Sequence, residues 1–309
     1  MEEQEQQQTI SQAQPELLYH YTTLDGLLGI LGKKELWATG ISYLNDTSEY
    51  EAGTNAVFQL MFPMSSDVAN ASTLDSSDFF DQLRTPFDAQ QIATMNAFSQ
   101  FYRLSAKQIF TASFSAEKTG DDLSQWRAYG GQHSGISLGF SPQYLRGMSR
   151  NFLEDKENPG WVGLNEAPLT KCKYYGDTGV WETNPEIQNR IREIEAQQTD
   201  SESKSFLFAR YAATLKHEKF HLEKEWRIVL THRGADVPNS ACFRRANSMI
   251  VPYVRIPLAW SGQPVEIDRI VVGPTPHKEK AKESIEMLLK SNHVKFSEVV
   301  NSRVPFRNW

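Results

Sequence analysis

The chain has 309 residues and a formal net charge of −6, so no overall positive field favours binding to duplex nucleic acid. Its hydrophobic fraction of 39% and aromatic fraction of 11% are sufficient for a packed globular core. The two cysteines, Cys172 and Cys242, are too few for a disulfide framework, and their spacing matches no zinc-binding pattern. Such a low cysteine content is typical of a protein from a reducing cytoplasm.

The N-terminal segment, residues 1–15, is rich in Glu and Gln and has no apolar stretch. This composition excludes a signal peptide and a membrane anchor, and it predicts a disordered tail. No later segment contains the roughly 18 to 20 consecutive apolar residues that a helix needs to cross a bilayer. We therefore predict a soluble, cytoplasmic protein with no membrane partner.

A strand at residues 17–22 is predicted to lead directly into an amphipathic helix. Side chains alternate along a strand, which gives one face with Leu18, His20 and Thr22 and another with Leu17, Tyr19 and Tyr21. The helix follows from apolar residues at the i, i+3, i+4 and i+7 positions, namely Leu24, Leu27, Leu28 and Leu31. His20 and Thr22 therefore form a polar pair near the end of a strand. The alternative for His20 is a half-buried ring that hydrogen-bonds to the backbone.

The middle of the chain alternates between helical and extended patterns. The predicted elements are a strand at 35–39, helices at 48–61 and 91–105, a strand at 108–114, a helix at 123–129 and a strand at 135–140. Between residues 63 and 90 the composition changes to Ser, Asp, Asn and Thr, which predicts a flexible insertion.

The C-terminal half continues this mixture of strands and helices. The predicted elements are a strand at 171–175, a long helix at 185–221, strands at 225–230, 249–256 and 267–272, a helix from Pro276 to Lys290 capped by Thr275, and a strand at 294–300. Because regular βαβ alternation is absent, this order predicts an α+β fold rather than a doubly wound sheet. We predict a single elaborated domain over residues 16–309.

The strand around residue 225 carries a concentrated set of charged side chains. Alternation gives a polar face with Glu223, Glu225 and Arg227 and an apolar face with Trp226, Ile228 and Leu230. The polar face is suited to line a cleft, and a salt bridge from either glutamate to Arg227 is the structural alternative. A second polar group, Asn45, Asp46 and Glu49, lies at a predicted turn and helix start, where capping is the alternative to a chemical role.

Residues 217–221 contain the H-E-x-x-H pattern in which two histidines one helical turn apart bind zinc. His217 and His221 have the required spacing, and Glu218 is the residue that activates water in such sites. The longer pattern fails because Lys224 and Arg227 stand where a glycine and a third histidine are needed. We therefore predict a solvated helix end and no metal, with a zinc hydrolase as the alternative.

Short motifs along nearly the whole chain together resemble the bacterial domain-of-unknown-function family 2971. They are Tyr19-His20-Tyr21-Thr22, Leu44-Asn45-Asp46 with Glu49, Ser113-Phe114-Ser115, Trp126 with Tyr129, Glu223-Lys224-Glu225-Trp226-Arg227 and Pro305-Phe306-Arg307. The first and fifth motifs are also similar to the first and last motifs of ADP-ribosyltransferases, which include poly(ADP-ribose) polymerases and bacterial toxins that modify nucleic acid. This resemblance implies split, mostly antiparallel sheets with surrounding helices, and NAD as a substrate without a metal.

The resemblance also implies roles for individual residues. Breaking the glycosidic bond of NAD passes through an oxocarbenium-like transition state, which a carboxylate near the ribose stabilises. Glu225 is the catalytic candidate, with Glu223 as its competitor. His20 would act in catalysis by binding the adenosine ribose, and Thr22 would place the nicotinamide, on which Trp126 or Tyr129 stacks. The other cofactor-binding candidates are Tyr21, Asn45, Ser113, Ser115 and Arg227, with Asp46 and Glu49 as further candidates.

The hydroxyls of Ser113 and Ser115 have a simpler alternative, which is hydrogen bonding to the backbone at a strand end. The implied function is a mono-ADP-ribosyltransferase of the toxin or anti-phage defence type. Its implied acceptor is single-stranded RNA or DNA, or else protein, and its implied partner is an inhibitory antitoxin protein. A locally basic set favours nucleic acid: Lys216, Lys219, Lys224, Arg227, Arg233, Arg244, Arg245 and Arg255. The alternative is that these charges are solvated or paired with acidic residues of the chain. The non-enzyme alternative is a binding module on a degenerate ADP-ribosyltransferase fold.

Overall fold

The computed structural model describes residues 15–44, 50, 53, 54, 57, 107–131, 135–156, 159–162, 168–176, 185–197, 201–234, 238–246, 248–260 and 262–305. Several predictions fall outside these residues. They are the tail, the insertion at 63–90, the helix at 91–105, most of the helix at 48–61, and the candidates Asn45, Asp46 and Glu49.

The chain groups into two compact units, each assembled from separate segments. Unit 1 comprises residues 1–34, 114–147 and 258–309, and unit 2 comprises residues 35–113 and 148–257. The boundary falls within strand β3, Ile109–Ser115. The single domain predicted over 16–309 stays a prediction.

Unit 1 is built on strands β1 (Leu18–Thr23), β4 (Gly135–Phe140), β11 (Glu266–Val272) and β12 (Lys295–Asn301), together with the end of β3. Their order is β12-β11-β4-β1-β3, and every neighbouring pair is antiparallel except β11 with β12. Helix α1 (Leu24–Lys33) follows β1, and α2 (Leu123–Tyr129) precedes β4. Helix α6 (Lys278–Ser291) provides the crossover that the parallel pair requires.

The two faces of β1 contact different parts of unit 1. Tyr19 and Tyr21 belong to a buried cluster with Trp126 and Val271, in which the rings of Tyr21 and Trp126 meet edge to face at 4.9 Å. The other face carries His20, whose ring lies 5.8 Å from that of Phe114. The alternation predicted for this strand is therefore confirmed.

Unit 2 contains a sheet with the order β3-β2-β10-β9, formed by the first part of β3 with β2 (Glu35–Gly40), β10 (Ile250–Pro257) and β9 (Cys242–Arg245). These pairs are antiparallel. Strand β8 (Glu225–Thr231) pairs with β3 and with β5 (Leu169–Lys171). A separate two-stranded parallel sheet joins β6 (Lys173–Tyr175) to β7 (Leu215–His217).

The core of unit 2 is formed by helices α4 (Pro185–Ala196) and α5 (Ser201–Ala212) together with strand residues. Its buried members include Ile187, Ile191, Ile194, Leu207, Leu215 and Val229. Because isoleucines on α4 recur at spacings of four and three residues, one face of that helix is apolar and enters the core.

The long helix predicted at 185–221 is wrong. The structure has instead α4, α5, β7 and a 3-10 helix at Glu218–Glu223. The hydroxyl of Thr214 donates to the carbonyl of Tyr211 at 2.7 Å, in competition with a further helical turn, and residues 215–217 pair with β6. The H-E-x-x-H pattern therefore does not lie on an α-helix.

Three smaller differences concern element boundaries. The strand predicted at 171–175 is divided into β5 and β6 at Cys172, whose N–H donates to the carbonyl of Glu225 at 2.9 Å. Helix α6 begins at Lys278 rather than Pro276, because Thr275 Oγ1 accepts from the N–H of His277 and forms a turn before the helix. Helix α3 (Pro142–Leu153) and the strands β7 and β9 have no counterpart in the predicted elements.

The described residues thus have a mixed α+β fold with large, mostly antiparallel strand pairing and several helices, as predicted. Within those residues, no helix combines the length and apolar character that a membrane span requires.

Candidate functional site

A buried ionic cluster in unit 2 contains the predicted catalytic carboxylate. Glu225 Oε1 accepts from Arg227 Nε at 2.8 Å. Glu225 Oε2 accepts from Arg227 Nη2 at 3.0 Å and from Lys216 Nζ at 2.8 Å. Glu225 and Arg227 are two residues apart on β8, so alternation gives them the same face, as predicted. The salt bridge considered as the structural alternative is therefore present between Glu225 and Arg227.

Glu225 is only 4% exposed, so its charge state depends on its partners. Burial alone would raise the pKa of this carboxyl, but Arg227 and Lys216 outweigh it and lower the pKa from 4.5 to about 2. The carboxylate is therefore ionised throughout the physiological pH range. Among the described residues, Oε1 accepts a single hydrogen bond, although a carboxylate oxygen can accept two.

Backbone contacts hold the ionic cluster in place. Arg227 Nη1 donates to the carbonyl of Ala213 at 2.8 Å, and the N–H of Glu225 donates to Tyr174 Oη at 2.8 Å. Burial raises the pKa of Tyr174, so its phenol stays protonated near neutral pH. These contacts join β8 to the end of α5 and to β6.

Glu223 occupies a different position from the one predicted. It lies in the 3-10 helix rather than on the strand, and Lys224, with φ of 46°, turns the chain between the two glutamates. Lys216 Nζ nevertheless reaches both carboxylates, at 3.0 Å from Glu223 Oε2. The side chain of Glu223 is 23% exposed and that of Glu225 is 6% exposed, so Glu223 is the outer member of the cluster.

The two histidines of the H-E-x-x-H pattern bond locally. His217 Nδ1 accepts from the N–H of Lys219 at 3.2 Å, and His221 Nδ1 lies 2.8 Å from the carbonyl of Glu218. Across the described ranges, no three His, Cys, Asp or Glu side chains are grouped so that they would hold a metal ion. The geometry on which the zinc alternative depends is therefore missing from these residues.

The first motif lies in unit 1, where His20 and Thr22 are half-buried and Tyr19 and Tyr21 are buried. His20 packs beside Phe114, and Thr22 Oγ1 lies so close to Gly26 of α1 that no Cβ fits there. Gly26 thus permits α1 to approach the strand that carries His20 and Thr22. On the opposite face, burial raises the pKa of Tyr21, whose Oη accepts from the N–H of Asp122.

The two aromatic candidates differ in exposure. Trp126 is 2% exposed, and its Nε1 donates to Asp121 Oδ1 at 2.8 Å. Tyr129, one turn later on α2, is 36% exposed. Tyr129 is therefore the more accessible of the two side chains.

The serine pair is divided between the units. Ser115 Oγ accepts from the N–H of Glu117 at 3.3 Å, which is the local backbone bond considered as the alternative. Ser113 precedes the boundary and is partly buried.

The sequence did not predict that Lys216 and Tyr174 belong to the ionic cluster. Lys216 is 5% exposed, although its sequence context counted it in a locally basic set proposed to contact nucleic acid. The sequence carries no signal for its burial, because residues 215–217 are extended only through their pairing with β6. For Tyr174 the sequence carries no signal, since its partner is a backbone N–H from another strand.

Residues 125–228 match the family model described as Protein of unknown function (DUF2971). The match confirms this family resemblance over about a third of the chain, a segment that contains Trp126, Tyr129, Lys216 and the Glu225–Arg227 pair. No curated protein and no solved structure matches the chain. The similarity to ADP-ribosyltransferases therefore stays a proposal.

Proposed function

We propose that the protein is an NAD-dependent mono-ADP-ribosyltransferase that modifies single-stranded nucleic acid, with Glu225 as its catalytic carboxylate. The observation that carries this proposal is the carboxylate of Glu225, which stays ionised at the start of β8 and keeps one acceptor position on Oε1 among the described residues. The ordered motifs and the largely antiparallel strand pairing support the same assignment.

The reaction requires little covalent participation by the protein. The bond between the ribose C1′ and the nicotinamide nitrogen breaks, and nicotinamide leaves with the electron pair. An acceptor oxygen or nitrogen then attacks C1′ and loses its proton. Glu225 Oε1 would accept a ribose hydroxyl and stabilise the positive charge that develops on the ring.

The other roles rest on the resemblance. His20 would bind the adenosine ribose, Thr22 would place the nicotinamide end, and the exposed ring of Tyr129 would stack on nicotinamide. An inhibitory antitoxin protein remains the proposed partner. A toxin or defence role is part of the same proposal.

The non-catalytic binding module is the second candidate, and one observation favours it. Arg227 and Lys216 already fill three acceptor positions of Glu225 and neutralise its charge in a buried setting. This arrangement is also what a purely structural ion cluster requires.

The test is transfer of label from NAD, labelled in its adenosine half, onto separate pools of RNA, single-stranded DNA and cell protein, with free nicotinamide measured in parallel. Glu225→Gln should lose at least about a hundredfold in rate. Glu218→Gln is the matched control, because Glu218 is an exposed glutamate of the neighbouring 3-10 helix. Full activity of Glu225→Gln, or no release of nicotinamide by the unaltered protein, would contradict the proposal.

A further inference from the structure

The hairpin of β9 and β10 exposes large apolar side chains at the edge of the unit 2 sheet. Phe243, Met249 and Ile250 are 62%, 52% and 60% exposed. Strand β9 ends the strand order, so one of its edges has no neighbouring strand within the described residues. An exposed aromatic ring beside an open edge indicates a binding surface.

The charge of this hairpin is opposite to that of the whole chain. Residues 237–265 contain no Asp or Glu and no Lys but include Arg244, Arg245 and Arg255, whereas the chain has a net charge of −6. Within the described residues, none of these arginines forms a salt bridge, and Arg244 Nε is buried without a hydrogen-bond partner. The hairpin therefore carries a local positive charge within an acidic chain.

The strand register places an aromatic ring and a cation on one face. Phe243 pairs with Pro252 and Arg245 pairs with Ile250, so Phe243 and Arg245 lie on the same side of β9. Two residues along a strand are separated by roughly 7 Å. A base stacked on Phe243 would thus have a phosphate within reach of the Arg245 guanidinium.

The chemistry favours a single strand of nucleic acid over other occupants. Aromatic rings stack on the faces of unpaired bases, which a duplex does not present, and arginine forks pair with phosphate. A second copy docked through the same edge would bring Arg244 and Arg245 against their own copies, with repulsion between like charges.

We propose that the β9–β10 hairpin binds single-stranded nucleic acid by stacking on Phe243 and by phosphate pairing to Arg245. This inference assigns a binding surface to the acceptor of the proposed function, and it rests on that function only for the reaction. Binding is measured without NAD, so the two proposals fail separately.

The experiment is fluorescence anisotropy of a labelled RNA of roughly 16 nucleotides, titrated with the full chain at several salt concentrations. Single-stranded DNA should bind as RNA does, and duplex DNA should bind more weakly. Phe243→Ala should raise the Kd about tenfold or more, which corresponds to the loss of one stacked base. Arg245→Ala should reduce the slope of log K against log salt by about 0.7.

Two matched controls accompany these variants. Met287→Ala removes another exposed apolar side chain, which is 65% exposed on α6, and Arg192→Ala removes an exposed arginine on α4. Both should bind as the unaltered protein does. The proposal is overturned if the probe does not bind at low salt, or if Phe243→Ala and Arg245→Ala bind normally. Dimerisation that Phe243→Ala abolishes, seen by sedimentation, would overturn it in favour of a second copy.

Discussion

Glu225 stabilises the fold through its charge, which gives a pH dependence of defined sign. Its pKa is about 2 in the folded chain, below the unfolded value of 4.5, so the stabilisation is complete above pH 4.5 and is lost as the pH falls towards 2. The difference corresponds to about 3 kcal/mol. As the pH falls from 4.5 towards 2, the unaltered protein loses this stabilisation and Glu225→Gln has none to lose. We therefore expect the difference between their free energies of unfolding, measured by urea unfolding, to shrink over this range.

The same substitution should be destabilising at neutral pH. It leaves Lys216 and Arg227 buried without a carboxylate, which costs about 3–5 kcal/mol. Glu218→Gln serves as the exposed control and should change the free energy of unfolding by less than about 0.5 kcal/mol. Equal stability of Glu225→Gln and the unaltered protein at pH 7 would contradict the ionic cluster.

We expect Trp126 to act as a core residue and Tyr129 to contact the ligand. Trp126→Phe removes the hydrogen bond to Asp121 and should lower the free energy of unfolding by about 1–3 kcal/mol without changing the KM for NAD. Tyr129→Ala should leave the stability nearly unchanged and raise the KM. Thermal unfolding and steady-state kinetics of both variants check this, and the reverse pattern would assign the stacking role to Trp126.

At the scale of elements, two glycines of unit 1 differ in the space around them, one on strand β4 and one on helix α1. A Cβ at Gly139 of β4 would lie 2.8 Å from the ring of Tyr19, whereas one at Gly29 of α1 would meet nothing within 4 Å. Gly139→Ala should therefore destabilise the fold by about 1–3 kcal/mol. Gly29→Ala should stabilise it by up to about 1 kcal/mol, because alanine favours the helix. If calorimetry shows that both substitutions change the stability in the same direction, this packing is contradicted.

Elements with a strong local pattern could be predicted from the sequence, and elements fixed by distant partners could not. The helix at Leu123–Tyr129 and the strand at Gly135–Phe140 were predicted with their observed bounds, because Asp122 caps the former and apolar residues fill the latter. The end of α5 was not predicted, because residues 215–217 are extended only through their pairing with β6.

The candidate site shows the same division. The shared face of Glu225 and Arg227 follows from strand alternation alone. The contributions of Lys216, Tyr174 and the carbonyl of Ala213 depend on contacts between elements, and neither spacing nor composition indicates them.

At the scale of the whole molecule, chain order and compact units do not coincide. Each unit collects segments that are far apart in sequence, and β3 contributes residues to both. Composition predicts a globular protein and the order of elements predicts an α+β fold, but neither specifies which segments belong together.

The central claim is that Glu225 is a catalytic carboxylate and more than a structural ion. The most direct measurement is the rate of nicotinamide release in the presence of RNA, for Glu225→Gln and for Leu215→Ala. Leu215 is fully buried, so its truncation costs about 2–5 kcal/mol and matches the stability loss without touching the carboxylate. At a temperature where circular dichroism shows both variants folded, Leu215→Ala should retain its rate and Glu225→Gln should lose at least about a hundredfold. Equal rates for the two variants would contradict the claim.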